Sequence, residues 1–133
     1  MKQMKTPLYG YRKKVPYPFE EAVLRTKEAL KKQSFGVLCE INVAQTLKEK
    51  LNVEMDPYII LGVCNPPFAY RALQAEKEIG LLLPCNVVIY KQGSIVIVST
   101  VRPEKVLSST GNPPLSALAE AVEKKLMQAI DAL

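Results

Sequence analysis

The sequence predicts a single α+β domain, spanning residues 1–133, in which a largely antiparallel sheet packs against helices. Two patterns carry this prediction. An apolar hairpin is expected at 84–101, with its turn at Gln92-Gly93, and a long stripe of apolar residues at helical spacing closes the chain. Hydrophobic residues make up 48% and charged residues 23% of the chain, as in soluble globular domains. No apolar run approaches the roughly 20 residues that a membrane-spanning helix needs, so no membrane partner is expected.

The first half of the chain begins with a basic segment and then alternates strands and helices. Residues 1–8 are expected to form a loosely ordered N-terminal segment, and residues 9–15 a short strand. Residues 18–34 are predicted to form a helix. Glu20 and Glu21 support its start, because acidic side chains interact favourably with the N-terminal end of the helix dipole. Its predicted buried face consists of five residues at helical spacing: Phe19, Ala22, Val23, Thr26 and Leu30.

The middle of the chain carries strands that differ in pattern. The strand predicted at 35–43 alternates, which places Cys39 among the core residues, and a short helix follows at 44–52. The strands at 58–64 and 94–101 are apolar on both faces, so something must cover both sides of them. A second subunit would supply that cover, and symmetric dimers are the commonest oligomers. The alternative is a short helix near 43–51 folded over the second face.

Asn-Pro-Pro occurs twice and is typical of a helix start, with Asn at the cap and Pro in the first turn. The copy at Asn65 predicts a helix to about 78, and the copy at Asn112 opens the last helix. A brief turn or helix is expected at 103–107. The last helix has the predicted core stripe Leu115, Leu118, Ala119, Val122, Leu126, Ala129, Ile130 and Leu133, with Glu123, Lys124 and Lys125 opposite it.

Charge and cysteine content restrict the possible functions. Eighteen basic and 13 acidic residues give a net charge of +5, concentrated in a basic N-terminal strip: Lys2, Lys5, Arg12, Lys13 and Lys14. A nucleic-acid-binding protein usually spreads its basic residues over a whole face and interleaves aromatic residues among them. Because the excess positive charge lies in this one strip, nucleic acid is not the expected partner. Three cysteines, an odd number, and the absence of an apolar leader segment favour a reducing cytoplasm. The chain has no histidine, which excludes Ser-His-Asp and Cys-His catalytic sets within one chain.

Four fragments, in this order, resemble the domain-of-unknown-function 302 family: GVLCEINVAQTLKEKL, YIILGVCNPPFAYRAL, EIGLLLPCNVVIY and LSSTGNPPLSALAE. The resemblance covers about 17–133. It implies a β-α-β4-α core with extra short helices, similar to the TATA-binding-protein-like fold, and a tendency to dimerise, but no known reaction. The residues that match the recurrent motifs are Glu40, Leu47, Cys64, Asn65, Pro66, Ala69, Leu73, Leu83, Pro84 and Cys85. Asn42 stands where an aspartate is expected, and a shared fold does not establish function.

Cys64 and Cys85 are the candidate catalytic and ligand-binding residues. Cys64 ends an apolar strand beside the Asn65 helix start, where a thiol can acquire a lowered pKa. Cys85 begins the next long strand. If the two strands run antiparallel, both thiols lie at the same edge of the sheet and a common pocket becomes possible. Each cysteine can equally be a small buried hydrophobe.

Three further residues complete the predicted ligand-binding set: Glu40, Asn65 and Arg71. Glu40 lies in an otherwise apolar strand and is expected to pair with Lys48 or Arg71. Arg71 can clamp an anion or pair with Glu76 or Glu78. No metal site is predicted, because one chain supplies at most three cysteine ligands, no C-x-x-C pair and no histidine.

Two main hypotheses follow, with a nucleic-acid module that uses the basic N-terminal strip as a third, and the cofactor is unknown. The first is a cytoplasmic homodimer that binds a small molecule in a pocket near Cys64, Asn65 and Cys85. The alternative is a thiol-dependent redox or transferase-type enzyme that uses Cys64 and Cys85. Whether the protein is an enzyme is left open by the residues.

Overall fold

The computed structural model describes residues 6–133. The strands are β1 (Gly10–Val15), β2 (Gly36–Asn42), β3 (Tyr58–Cys64), β4 (Cys85–Gln92) and β5 (Ile95–Val101). The α-helices are α1 (Phe19–Lys32), α2 (Val43–Leu51), α3 (Pro66–Ala75), α4 (Pro103–Leu107) and α5 (Pro113–Asp131), with short 3-10 turns at Lys77–Leu82 and Ser108–Thr110. None of these helices has the length and apolar character that crossing a membrane requires.

The strands form one antiparallel sheet in the order β1-β5-β4-β3-β2. Strands β2 to β5 lie side by side in chain order, and β1 joins the outer edge of β5. Without the short inserted helices, the order along the chain is β-α-β4-α. The predicted α+β class and antiparallel sheet are therefore confirmed.

The hydrophobic core lies between one face of the sheet and the helices α1 and α5. Alternate residues of the central strands point into it, because successive side chains of a strand face opposite sides. Val87 and Ile89 of β4 are fully buried there, as are Leu30 of α1 and Leu126 of α5. The helical spacing in the sequence predicted these faces correctly: Ala22, Val23, Thr26 and Leu30 of α1 are buried, as are Leu115, Ala119, Val122, Leu126, Ala129 and Ile130 of α5.

Strand β2 departs from its predicted half-buried pattern, because all of its residues are exposed. Cys39, which the alternation placed in the core, is therefore exposed. The cause is position: β2 is an edge strand that pairs only with β3, and a bulge at Leu38 interrupts that pairing. Helix α2 packs chiefly against β3 and buries none of its residues, so it does not enclose the second face of the sheet.

Glu123 also departs from its prediction on the polar side of α5. Its side chain is buried and accepts hydrogen bonds from the Arg102 guanidinium at 3.2 Å and from the Glu104 backbone N–H at 3.3 Å. The contact joins α5 to the first turn of α4. Asn112 begins α5 without a side-chain cap; its amide donates instead to the Ala75 carbonyl at 3.4 Å.

One side of β1 contacts the end of α5. Tyr11 donates its hydroxyl to the Asp131 carboxylate, and Lys13 donates to the carbonyl oxygens of Asp131 and Leu133. Both contacts hold the end of α5 against the sheet. Lys2, Lys5 and most of the predicted loose N-terminal segment lie outside the described residues.

Candidate functional site

A small apolar pocket lies where β3 ends and α3 begins. Its volume is about 270 Å³. It is lined by Phe35, Leu38, Val63, Cys64, Asn65, Phe68, Ala69, Leu73, Gly80, Leu83, Pro84 and Cys85. Such a pocket, apolar with a few polar groups, is the form that small-molecule sites take in proteins, although this one is just below their usual size range.

Asn65 is the polar residue that fixes one wall of this pocket. Its side-chain oxygen accepts the Phe68 N–H at 3.3 Å, which caps α3, and two prolines follow in the first turn. The cap predicted from Asn-Pro-Pro is thus confirmed. Asn65 is only 9% exposed, and its amide N–H groups have no hydrogen-bond partner within residues 6–133.

Cys64 and Cys85 lie at the same end of the sheet, where β3 ends and β4 begins. Cys64 is the last residue of β3, and Cys85, the first of β4, lies opposite Val63 in the antiparallel register. Both line the pocket, and both are free thiols. The Leu83–Pro84 peptide that leads into Cys85 is cis.

The electrostatics of the two thiols oppose thiolate formation. Burial raises the pKa of Cys64. Burial, and secondarily the proximity of Cys64, raise the pKa of Cys85 to about 11. The pKa of Cys64 is therefore shifted upward by burial, opposite to the lowering that the Asn65 helix start suggested.

Glu40 and Arg71 do not line the pocket. Glu40 forms an ion pair with Lys27 of α1, and not with Lys48 or Arg71. Lys48 pairs with Glu54. Arg71 is exposed, and among residues 6–133 it forms no ion pair with Glu76 or Glu78. These pairings depend on how separate elements pack, which residue spacing does not reveal.

Several pocket residues were not singled out as ligand-binding from the sequence. Phe68, one turn into α3, and Phe35, just before β2, supply the aromatic walls. Leu38 and Gly80 form other parts of the lining. The signal that could have found Phe68 is its place in the helix, three residues after the cap, on the same side as Ala72.

Close packing beside the pocket explains a glycine in the middle of β3. A Cβ built at Gly62 would lie 2.6 Å from Cys39 Sγ and 3.0 Å from Pro84 Cγ. Cys39 and Pro84 thus come together over Gly62. Within the described residues, no cluster of three or more His, Cys, Asp or Glu side chains could hold a metal ion.

Comparison with known proteins identifies relatives of this chain. Residues 11–133 match the family described as "Domain of unknown function DUF302". The crystal structure of an uncharacterised conserved DUF302 protein from Bacillus stearothermophilus is similar, with a TM-score of 0.88 and 31% sequence identity over 94% of this chain and 98% of that one. No curated protein matches. Because the family match spans nearly the whole chain, the chain belongs to the DUF302 family.

Proposed function

We propose that this protein is a homodimeric domain that binds a small, mainly apolar molecule in the pocket at Cys64, Asn65 and Cys85. The observation that carries the proposal is the pocket itself: about 270 Å³, bounded by aliphatic and aromatic side chains, with a single amide placed in its wall. The two thiols are the titratable side chains among the described residues that line it. A binding role therefore fits this lining better than acid–base catalysis does.

The walls define the chemistry of the ligand. The apolar lining favours an aliphatic or aromatic body without charge, since an ion would lose its hydration without gaining a counter-ion. The unpaired amide N–H groups of Asn65 favour one hydrogen-bond acceptor on the ligand, such as a carbonyl oxygen. A neutral ketone or ester of modest size meets both requirements.

The thiols contribute shape to this site and not a nucleophile. Their raised pKa values keep both protonated at neutral pH, so the alternative of a thiol-dependent redox or transferase-type enzyme receives no support from their surroundings. Three free cysteines support a reducing, cytoplasmic environment as the proposed place of action.

The ligand-binding proposal is tested by filling the pocket. Ala69 lines it and Ala75, on the same helix, is exposed outside it, so Ala69→Phe and Ala75→Phe form a matched pair. We expect 2-octanone, added to ¹⁵N-labelled protein, to shift amide signals of α3 and β4 in the wild type and in Ala75→Phe. The same addition should leave Ala69→Phe unchanged.

Asn65→Asp refines the same experiment. Aspartate retains the oxygen that caps α3 but removes the amide donor. The affinity for 2-octanone should fall by about tenfold, the effect of one hydrogen bond, with the fold retained. Equal ketone binding by wild type and Ala69→Phe would refute the pocket as the ligand site.

The proposed dimer forms through the free edge of β2. Val37, Leu38 and Ile41 are 37%, 65% and 46% exposed on this edge strand. The other edge, β1, carries Arg12, Lys13 and Lys14, and such charges discourage strand addition. Because β2 has one acidic residue and no lysine or proline, antiparallel pairing with a second copy would extend the sheet to ten strands.

Nucleic acid is not a partner in this proposal. Lys13 of the basic strip is engaged with the carbonyl oxygens of Asp131 and Leu133. The β-α-β4-α order supports kinship in fold with TATA-binding proteins, but that analogy assigns no activity.

A further inference from the structure

A second concavity lies on the face of the sheet that the helices leave open. Its volume is about 330 Å³. It is lined by Pro7, Tyr9, Gly10, Arg12, Tyr58, Asn86, Val88, Tyr90, Ser99, Thr100 and Val101. None of these residues lines the pocket at Cys64, so the two concavities are separate.

Aromatic rings form the walls of this second concavity. Tyr58 and Tyr90 are directly opposite each other on β3 and β4. Their rings stack with centroids 5.5 Å apart and an interplanar angle of 14°. Tyr9, which precedes β1, lines the same concavity. A planar ring can stack on such surfaces.

The phenol groups also converge. Burial is the main cause that raises the pKa of Tyr58, and the nearby Tyr90 and Tyr9 raise it further, which places the three side chains close together. Tyr58 therefore stays protonated and can donate a hydrogen bond. Within residues 6–133, the hydroxyls of Tyr9, Tyr58 and Tyr90 donate no hydrogen bond to another side chain or to the backbone.

The strand residues on this face carry positive charges and no negative ones. Arg12 lines the concavity, and Lys14 lies on the same side of β1, opposite Ile97. The register places no aspartate or glutamate on the open side of the five strands. A guanidinium and several hydroxyl donors around aromatic walls are complementary to an anionic group attached to a ring.

We propose that this tyrosine-lined concavity binds a small planar aromatic anion, with the ring against Tyr58 and Tyr90 and the anionic group facing Arg12. A concavity of about 330 Å³ accepts one ring or two fused rings with short substituents. The site is independent of the ligand proposed for the pocket at Cys64, which is neutral and mainly apolar.

Benzoate and two analogues test each part of this proposal. Benzamide keeps the ring and removes the charge, and cyclohexanecarboxylate keeps the charge and removes the aromatic ring. With ¹³C-labelled tyrosine rings, we expect benzoate to shift the signals of Tyr9, Tyr58 and Tyr90, with a dissociation constant of about 1 mM. Tyr17 and Tyr70, outside the concavity, should not shift, and both analogues should bind about tenfold more weakly.

Matched arginine variants complete the test. Arg12→Gln should weaken benzoate binding by about tenfold. The control is Arg25→Gln, because Arg25 also lies beside a tyrosine, 4.2 Å from the ring centroid of Tyr17, but on α1. Tyr58→Phe, which keeps the stacked ring and removes the hydroxyl, should weaken binding about threefold, less than a full hydrogen bond. Absence of benzoate shifts, equal binding of cyclohexanecarboxylate, or unchanged affinity in Arg12→Gln would overturn the proposal.

Discussion

The thiol of Cys85 is 7% exposed, at the start of a strand whose next inward residues are fully buried. Its pKa rises from 9.0 to about 11 because the thiolate would lose its hydration there. In the unfolded chain the same thiol returns to its ordinary value. The folded state therefore holds this proton more tightly than the unfolded state across the interval between the two values.

This difference predicts a loss of stability at alkaline pH. Below pH 9 both states are protonated and the full contribution is present; as the pH rises towards about 11, the unfolded state loses its proton first and gains stability. We expect the free energy of unfolding of the wild type to fall by about 2 kcal/mol more than that of Cys85→Val over this range. Urea titrations at a series of pH values measure both. Parallel pH profiles would contradict the prediction.

Glu123 is a buried acidic residue whose carboxylate oxygens both accept hydrogen bonds. Glu123→Ala should lower the free energy of unfolding by about 3 kcal/mol, since it leaves the Arg102 guanidinium and the Glu104 N–H without their acceptor. Glu120→Ala, on the exposed side of the same helix, should change it by less than about 0.5 kcal/mol. Thermal and urea unfolding compare the two. Similar small losses in both variants would show that the buried pair contributes little.

Single residues also show what the sequence can and cannot predict. The role of Asn65 was predictable, because a cap depends on the three residues that follow it. The burial of Glu123 and the pairing of Glu40 with Lys27 were not, because each partner comes from a different element. The pocket at Cys64 lies between these cases: its two cysteines and Asn65 were predicted, and its phenylalanine walls were not.

At the scale of elements, β2 carries the main error of prediction. Alternation along a strand specifies two faces but not whether anything lies against either one. Val37 and Ile41 alternate like core residues, yet β2 is the last strand of the sheet and both remain exposed. The hairpin of β4 and β5, in contrast, was predictable from its own residues. Its turn starts at Gly93, at φ 61°, one residue later than predicted, because Gln92 still pairs with Ile95.

The close contact between Cys39 of β2 and Gly62 of β3 can be tested by mutation. Gly62→Ala should cost about 2 kcal/mol, because the new methyl group would lie 2.6 Å from Cys39 Sγ. Cys39→Ala alone should change stability little, since Cys39 is exposed. Combined with Gly62→Ala it should recover about half of the loss, because the sulfur is removed and Pro84 remains. A double-mutant cycle by urea unfolding measures the coupling, and additive losses would refute the close contact.

At the scale of the whole molecule, the sheet has one protected edge and one open edge. Ile41→Lys adds a charge to the open edge, β2, without altering the pocket lining. We expect sedimentation to find the wild type as a dimer at micromolar concentration, and the variant to have a dimer affinity at least about tenfold weaker.

Leu81→Lys is the control for this experiment. Leu81 is 82% exposed but lies outside β2, so the same change of charge should leave the dimer intact. A monomeric wild type, or equal dissociation of both variants, would contradict assembly through β2.

The position of β1 has a consequence for how the chain reaches its native state. Strands β2 to β5 follow one another in sequence, so each pairs with a neighbour that is close along the chain, whereas Gly10 must find Val101. Closing so large a loop is entropically costly before its contacts form. We therefore expect strands β2 to β5 to pair early, and β1 and the end of α5 to dock against them in the last step.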